Sequence, residues 1–349
     1  MKTHKIAVVA GDGIGPEVVA EGLRVLNACA DKFGFGVELL ELPYGTEHWL
    51  ATEEIFPDDA FKNVKSCDAI LLGAIGDPRA PIGLIERGVI GKLRWDLDLW
   101  VNLRPIKLLD EKFSPLKGKG VDDIDMVIVR ENTEDAYVQK PQFENKGTED
   151  EVAQQAMLYT YKGTERIIRY AFEVAAERPR KHLTLIDKAN AVRAQDLYSR
   201  VFADVAKEFP DVTTGHLYVD AACMRMIESP ESIDVAVTTN LFGDIVTDLG
   251  AMLQGGMGVA ASANLRPGHV SLFESVHGSF PEAAGKNIAN PIATINAVSM
   301  MLDYLGEDAA SAAVSDAVAS LLTSGRIRSL EVGEHATDEI GEMIACELS

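Results

Sequence analysis

Short apolar runs recur along this 349-residue chain, and most give way quickly to a stretch with helical periodicity. Residues 5–10, 37–42, 69–72, 125–129, 183–187 and 233–237 read as buried strands. Amphipathic helices are expected from 17 to about 33, across 82–99, near 161–176 and 194–208, and over 292–305, 309–322 and 338–348. Strands alternating with helices predict α/β architecture. The chain is too long for one small core, so two domains, or one large one, are expected.

The most constraining segment is TTNLFGDIVTD, residues 238–248, where a strand hands over to a helix carrying Asp244 and Asp248. Four residues apart on a helix, the two carboxylates share a face, about 5–6 Å apart between Cβ atoms. Such a pair needs a cation or solvent between its members, and oxygen ligands favour Mg²⁺ or Mn²⁺. Asp220, at the end of an expected strand over 216–220, is a third candidate ligand.

The net charge of −21 disfavours nucleic acid and anionic membrane as partners. An acidic chain that binds an acidic substrate must gather its arginines locally. Arg94, Arg104 and Arg130 each follow a short apolar run, at expected turns, where they could clamp carboxylates. Lys188 follows a strand in IDKANAVR, where burial could lower its pKa and make it a base. Tyr137 could donate a proton, and His277 in VHGS is followed by small residues that admit a ligand. The four cysteines form no zinc pattern, and no apolar run approaches the ~18 residues of a membrane span. A cytoplasmic protein is expected. The loop Gly11-Asp12-Gly13-Ile14-Gly15-Pro16 lacks the dinucleotide spacing and reads as a tight turn beside a site. Residues 139–150 read as a polar surface excursion.

Taken together, GDGIGPEV, NLRP, VRENTE…Y, DKAN, VDA…RM, TTNLFGDIVTDL and FESVHGS…P…AGK.IANP span nearly the whole chain. On these motifs it resembles the isocitrate/3-isopropylmalate dehydrogenase family, the β-hydroxyacid oxidative decarboxylases. The resemblance implies an isopropylmalate-dehydrogenase-like two-domain α/β fold, not a Rossmann fold. Residues 1–102 with 253–349 would form a cofactor-binding domain, and 103–252 an inserted domain with metal ligands and dimer contacts. Asp220, Asp244 and Asp248 would hold Mg²⁺ or Mn²⁺, with Asp220 and Lys188 reaching across a homodimer to a shared site. Arg94, Arg104 and Arg130 would bind the malate carboxylates, and Asn190 would lie near the substrate or nicotinamide. Tyr137 and Lys188 would be the acid and base. His277, Gly278, Ser279, Glu282, Ala283 and Asn290 would line the adenosine site, the carboxylate of Glu282 accepting from ribose hydroxyls and selecting NAD over NADP.

The 3-substituent pocket departs from the pattern. Where the 3-isopropylmalate enzymes carry two leucines and a valine, this chain has Ile90 with Gly91, and Ala191. A roomier or reshaped pocket is expected, each lost methylene contact being worth about 0.8 kcal/mol. The substrate expected is 3-isopropylmalate or a close 3-substituted malate, in leucine biosynthesis. Tartrate or D-malate is the alternative within the fold, and a catalytically silent metabolite-binding homologue the alternative outside it.

Overall fold

A computed structural model describes residues 2–138 and 140–348. The chain divides into two compact units. The first gathers the chain up to Leu99, Arg104–Ile124 and everything from Ala251 onward; the second comprises Trp100–Leu103 and Asp125–Gly250. Residues 104–124 therefore group with the terminal segments, not with the central one.

The first unit opens with β1 (Thr3–Gly11), β2 (Gly36–Leu42) and β3 (Ala69–Ala74), and the chain changes unit along β4 (Val101–Lys107). The second unit carries β5 (Asp125–Glu131), a hairpin of β6 (Gln142–Glu144) and β7 (Val152–Gln154), then β8 (His182–Asp187), β9 (Thr213–Tyr218) and β10 (Val235–Thr238). β11 (Ala261–Leu265) and β12 (Ser271–Ser275) belong to the first unit again. β6 lies in the stretch 139–150 expected to be an excursion and β7 just beyond it; Gln139, where that stretch begins, lies outside the described residues.

Strands of the first unit run in the order β2-β1-β3-β12-β11. All neighbours are parallel except β11 with β12. The second unit has β5-β10-β8-β9, parallel throughout. Strands covered on both faces read as continuous apolar runs, as AILL in β3 and VAV in β10 do. Helix Gly15–Phe33 returns the chain from β1 to β2, burying Val18, Gly22, Val25 and Cys29 along one stripe. It ends at Gly34, whose φ of 78° is the left-handed cap that glycine adopts without a Cβ penalty.

The helix expected over 82–99 is broken into three turns: Leu84–Glu86, a wide π-turn Arg87–Gly91, and Lys92–Asp96. Ile85, Val89, Leu93 and Leu97 are all buried in one cluster with Val9, Ile70 and Leu72. Spaced by four, they would drift about 40° per step around a regular α-helix. One wide turn takes up that drift and keeps them on the core side.

In the second unit β5 ends on the buried Glu131, whose carboxylate accepts from Thr133 N and Oγ1 at 2.8 Å and Glu134 N at 2.9 Å. Burial pushes its pKa up to about 7 despite those donors. Among the described residues, no helix is long and apolar enough to cross a membrane.

Two outcomes test this packing. A Cβ on Gly73 would sit 2.1 Å from the Ala10 carbonyl oxygen, a backbone atom that cannot swing aside. Gly73→Ala is expected to lower the stability measured by urea unfolding by about 2–3 kcal/mol. For Glu131, the native state holds its proton longer than the unfolded chain, whose glutamate ionises near 4.5. Its contribution to stability therefore falls as pH rises from about 4.5 through about 7 and is level above that. Glu131→Gln is expected to remove this fall, so the urea midpoints of variant and parent converge or cross with pH; parallel curves would refute it.

Candidate active site

In the second unit the candidate residues follow the carboxyl ends of parallel strands. Arg130 is the penultimate residue of β5, Lys188 follows β8, Asp220 follows β9 and Asn240 follows β10. Loops at that edge are where open α/β sheets place ligands. Helix Asn240–Leu253 presents Asp244 and Asp248 one turn apart. A Cβ on Gly243 would come 2.5 Å from Arg130 Cγ, so the glycine lets this helix lie against the arginine stem.

Asp244 is the meeting point. Its Oδ1 accepts from Arg130 Nη1 at 2.5 Å and its Oδ2 from the Tyr137 hydroxyl at 2.7 Å. Arg130 also donates through Nε and Nη2 to the Asn240 side-chain oxygen, at 3.1 and 2.7 Å, and its guanidinium stacks 5.4 Å from the Tyr137 ring. The sequence places Arg104 and Arg130 at turns; both instead lie inside strands and are buried, 6% and 1% exposed. A guanidinium tolerates this depth only when its charge is compensated, and for Arg130 Asp244 does so.

Lys188 is not the buried lysine the sequence suggested. Its side chain is 24% exposed and pairs with Asp220 Oδ1 at 2.6 Å, which draws the Asp220 carboxyl below its ordinary range. Asp220 lies in the first turn of helix Val219–Glu228, not in a strand, because β9 stops at Tyr218. Asn190 and Ala191 are exposed on the loop after β8. Among the described residues, no three acidic, imidazole or thiol groups cluster as a metal site. Asp244 and Asp248 offer the oxygen donors a hard divalent ion prefers, and they need further ligands from outside this pair.

In the first unit, Arg94 donates from Nη2 to Glu274 Oε1 at 2.8 Å, and Glu274 also accepts from Asn264 at 2.7 Å. Arg94 Nε is buried without a partner. Gly91, expected to enlarge the substituent pocket, does not open a void. Trp95 ring carbons stand 2.9 and 3.0 Å from where its Cβ would be, and Arg87 stacks 5.5 Å over that ring. The position is reshaped by an aromatic ring, with Ile90 partly buried beside it.

The same unit holds a cavity of about 450 Å³ whose lining includes His277, Gly278, Asn290, Ile14, Phe280 and Glu331. Burial lowers the pKa of His277, so a neutral ring faces the ligand; its Nδ1 lies 3.0 Å from Gly278 O and its Nε2 is buried and unpartnered. An orphaned ring nitrogen in a largely apolar, glycine-rimmed cavity fits a planar base such as adenine. Ser279 is buried beneath, its hydroxyl donating to Gly76 O and its carbonyl accepting from Ile14 N at 2.8 Å. Thus the glycine loop after β1, left without a ligand role by its spacing, contributes Ile14 to the wall. Glu282 is exposed on the turn Pro281–Ala283 and is not part of the lining, and Ala283 is buried against Ile14, Val18 and Ala289. Glu331 supplies the carboxylate at the cavity. Phe280 lies within the stretch 277–283 expected at this site, whereas Glu331 stands in no pattern that points to it.

Residues 5–344 match the isocitrate/isopropylmalate dehydrogenase family model. A 3-isopropylmalate dehydrogenase from Thermobifida fusca (strain YX) is 47% identical over 99% of this chain and 97% of its own length. One from Frankia casuarinae is 47% identical over 98% of both. The crystal structure of isocitrate dehydrogenase from Methylococcus capsulatus superposes with a TM-score of 0.89 at 35% identity, covering 99% of each chain. With its fold and nearly its whole length so matched, the chain belongs to the isocitrate/isopropylmalate dehydrogenase family.

Proposed function

We propose that this chain is an NAD-dependent, divalent-metal-dependent 3-isopropylmalate dehydrogenase, yielding 4-methyl-2-oxopentanoate, CO₂ and NADH in leucine biosynthesis. The observation that carries the reading is the joint of Tyr137, Arg130 and Asp244, which puts a proton donor, a carboxylate binder and a metal ligand within hydrogen-bond reach. Near-full-length relatives that bear that name support the substrate.

Asp220, Asp244 and Asp248 would hold Mg²⁺ or Mn²⁺, which when bound would supply Lewis-acid polarisation of the 2-oxygen, and NAD⁺ would supply the hydride acceptor for C2. Arg94, Arg104 and Arg130 hold the two carboxylates, and Asn190 lies near the substrate or nicotinamide. Lys188 takes the hydroxyl proton as the hydride leaves C2. The C3–carboxylate bond then breaks, CO₂ departs, and the electron pair left at C3 takes a proton from Tyr137. Lys188 pairs with Asp220 Oδ1 at 2.6 Å, which keeps base and metal ligand side by side at the edge of the site. His277, Gly278, Ser279, Ala283 and Asn290 hold the adenosine; Glu282 accepts from the ribose hydroxyls, and Glu331 adds a second carboxylate at the cavity.

The working form is a cytoplasmic homodimer in which Lys188 and Asp220 serve the neighbouring subunit. Met224 and Ile227 on helix Val219–Glu228 and Ile245 on helix Asn240–Leu253 are 69, 45 and 54% exposed, apolar surface that a second copy would cover. The Trp95 ring at Gly91 favours a second reading, a dehydrogenase for tartrate, D-malate or another 3-substituted malate.

NADH formation with Mn²⁺ or Mg²⁺ against 3-isopropylmalate, D-malate, tartrate, isocitrate, homoisocitrate and a 3-arylmalate separates these readings. The highest kcat/KM is expected with 3-isopropylmalate, and a clear lead by another malate would overturn the substrate assignment. Lys188→Met is expected to lose at least about 10²-fold in kcat while binding NADH, measured by fluorescence, as the parent does. Undiminished turnover in that variant would remove Lys188 as the base.

A further inference from the structure

Tyr137 and Lys188 sit 51 positions apart in sequence, on turns after different strands, yet one unbroken polar chain joins their segments. The Lys188 backbone N–H donates to Gln195 Oε1 at 2.7 Å. Gln195 Nε2 donates to the Tyr159 hydroxyl oxygen at 2.8 Å, and that hydroxyl donates to Asp135 Oδ1 at 3.0 Å. Asp135 Oδ2 accepts from Leu241 N at 3.0 Å, in the first turn of the helix that carries Asp244 and Asp248, and Oδ1 accepts from Ala136 N, next to Tyr137. All of these residues belong to the second unit.

We propose that Tyr159 and Gln195 are positioning residues that lock the Lys188 loop to the Tyr137 turn and the metal-binding helix. The proposal rests on the assignment of Tyr137 and Lys188 as acid and base. The polarity of the chain is forced. An amide whose oxygen receives a backbone N–H must turn its NH₂ the other way, towards Tyr159. The single proton of Tyr159 is then left for Asp135, which as a carboxylate can only accept. Gln195 and Asp135 are wholly buried, so a broken link strands a polar group in the interior. Asp135 holds its place at φ 72°, a conformation non-glycine residues seldom keep without such ties. The Tyr159 ring is fixed edge-on against the buried Tyr198 at 5.7 Å. In the homodimer proposed above, the links hold the loop that lends Lys188 to the neighbouring subunit in fixed register with the chain's own acid and metal helix, so a fraction of an ångström lost here changes rate at both sites.

The test uses the full-length chain with 3-isopropylmalate, NAD⁺ and Mn²⁺, and compares Tyr159→Phe with Gln195→Met, each alone and combined with Lys188→Met. Each single variant is expected to lower kcat by tenfold up to about 10²-fold, leaving the KM for NAD⁺ unchanged and the thermal midpoint near that of the parent. In the Lys188→Met background the same substitutions are expected to cost clearly less than in the parent, since the position of an absent amine no longer matters while that of Tyr137 and the metal-binding helix still does. Wild-type kcat in Tyr159→Phe would overturn the proposal, as would a kcat loss that persists in full without Lys188 and follows the thermal midpoint. Wild-type turnover in Lys188→Met alone would instead overturn the acid–base assignment on which the proposal stands. A Tyr159→Phe chain that fails to fold leaves Gln195→Met to decide by the same criteria.

Discussion

Two carboxylates one helical turn apart repel each other, and in the second unit Arg130 and Tyr137 are spent on relieving that repulsion at Asp244. Much of the local structure follows from this contact. Arg130 can be buried in a strand because Asp244 neutralises it. The helix can approach because residue 243 has no side chain. Asn240 turns its side-chain oxygen onto the same guanidinium and so ties the beginning of that helix to β5. Acid, cation and phenol are thus pre-arranged for chemistry by the same interaction that stabilises the packing.

Parallel topology does the rest of the gathering. Four neighbouring strands, β5, β10, β8 and β9, all point the same way, so the residues just beyond their carboxyl ends fall along one edge. That edge holds Arg130, Asn240, Lys188 and Asp220, which in sequence are spread over 110 positions, from 130 to 240. The first unit solves a different problem with similar means. The turns after β1 and β12 meet through Ser279 and Ile14 and form one side of the cavity lined by His277 and Asn290.

Residues whose role depends on local pattern were legible in the sequence. The helix with Asp244 and Asp248 was readable from TTNLFGDIVTD, and the strands from unbroken apolar runs, because periodicity is a local property. Arg104 and Arg130 were misplaced at turns because a charge in a sequence looks exposed until its buried counter-charge, over a hundred residues away for Arg130, is known. Lys188 looked buried for the converse reason: nothing near it in sequence announces Asp220. The helix over 82–99 was legible as helical, but its π-turn follows from a four-residue spacing that matters only once the core cluster is assembled. Glu331, Gln195 and Tyr159 carry no local signal, since their partners come from distant segments.

The Trp95 ring beside Gly91 gives position 91 a history-dependent character. The volume a branched side chain would fill at 91 has moved four residues along the helix and arrives as an indole. Neither residue is free to change alone: a larger residue at 91 meets the ring, and a smaller one at 95 leaves an unfilled space. A larger residue at 91 is therefore accommodated only if the indole swings aside or is shortened with it, which makes the two positions a single lever on the local shape of this helix.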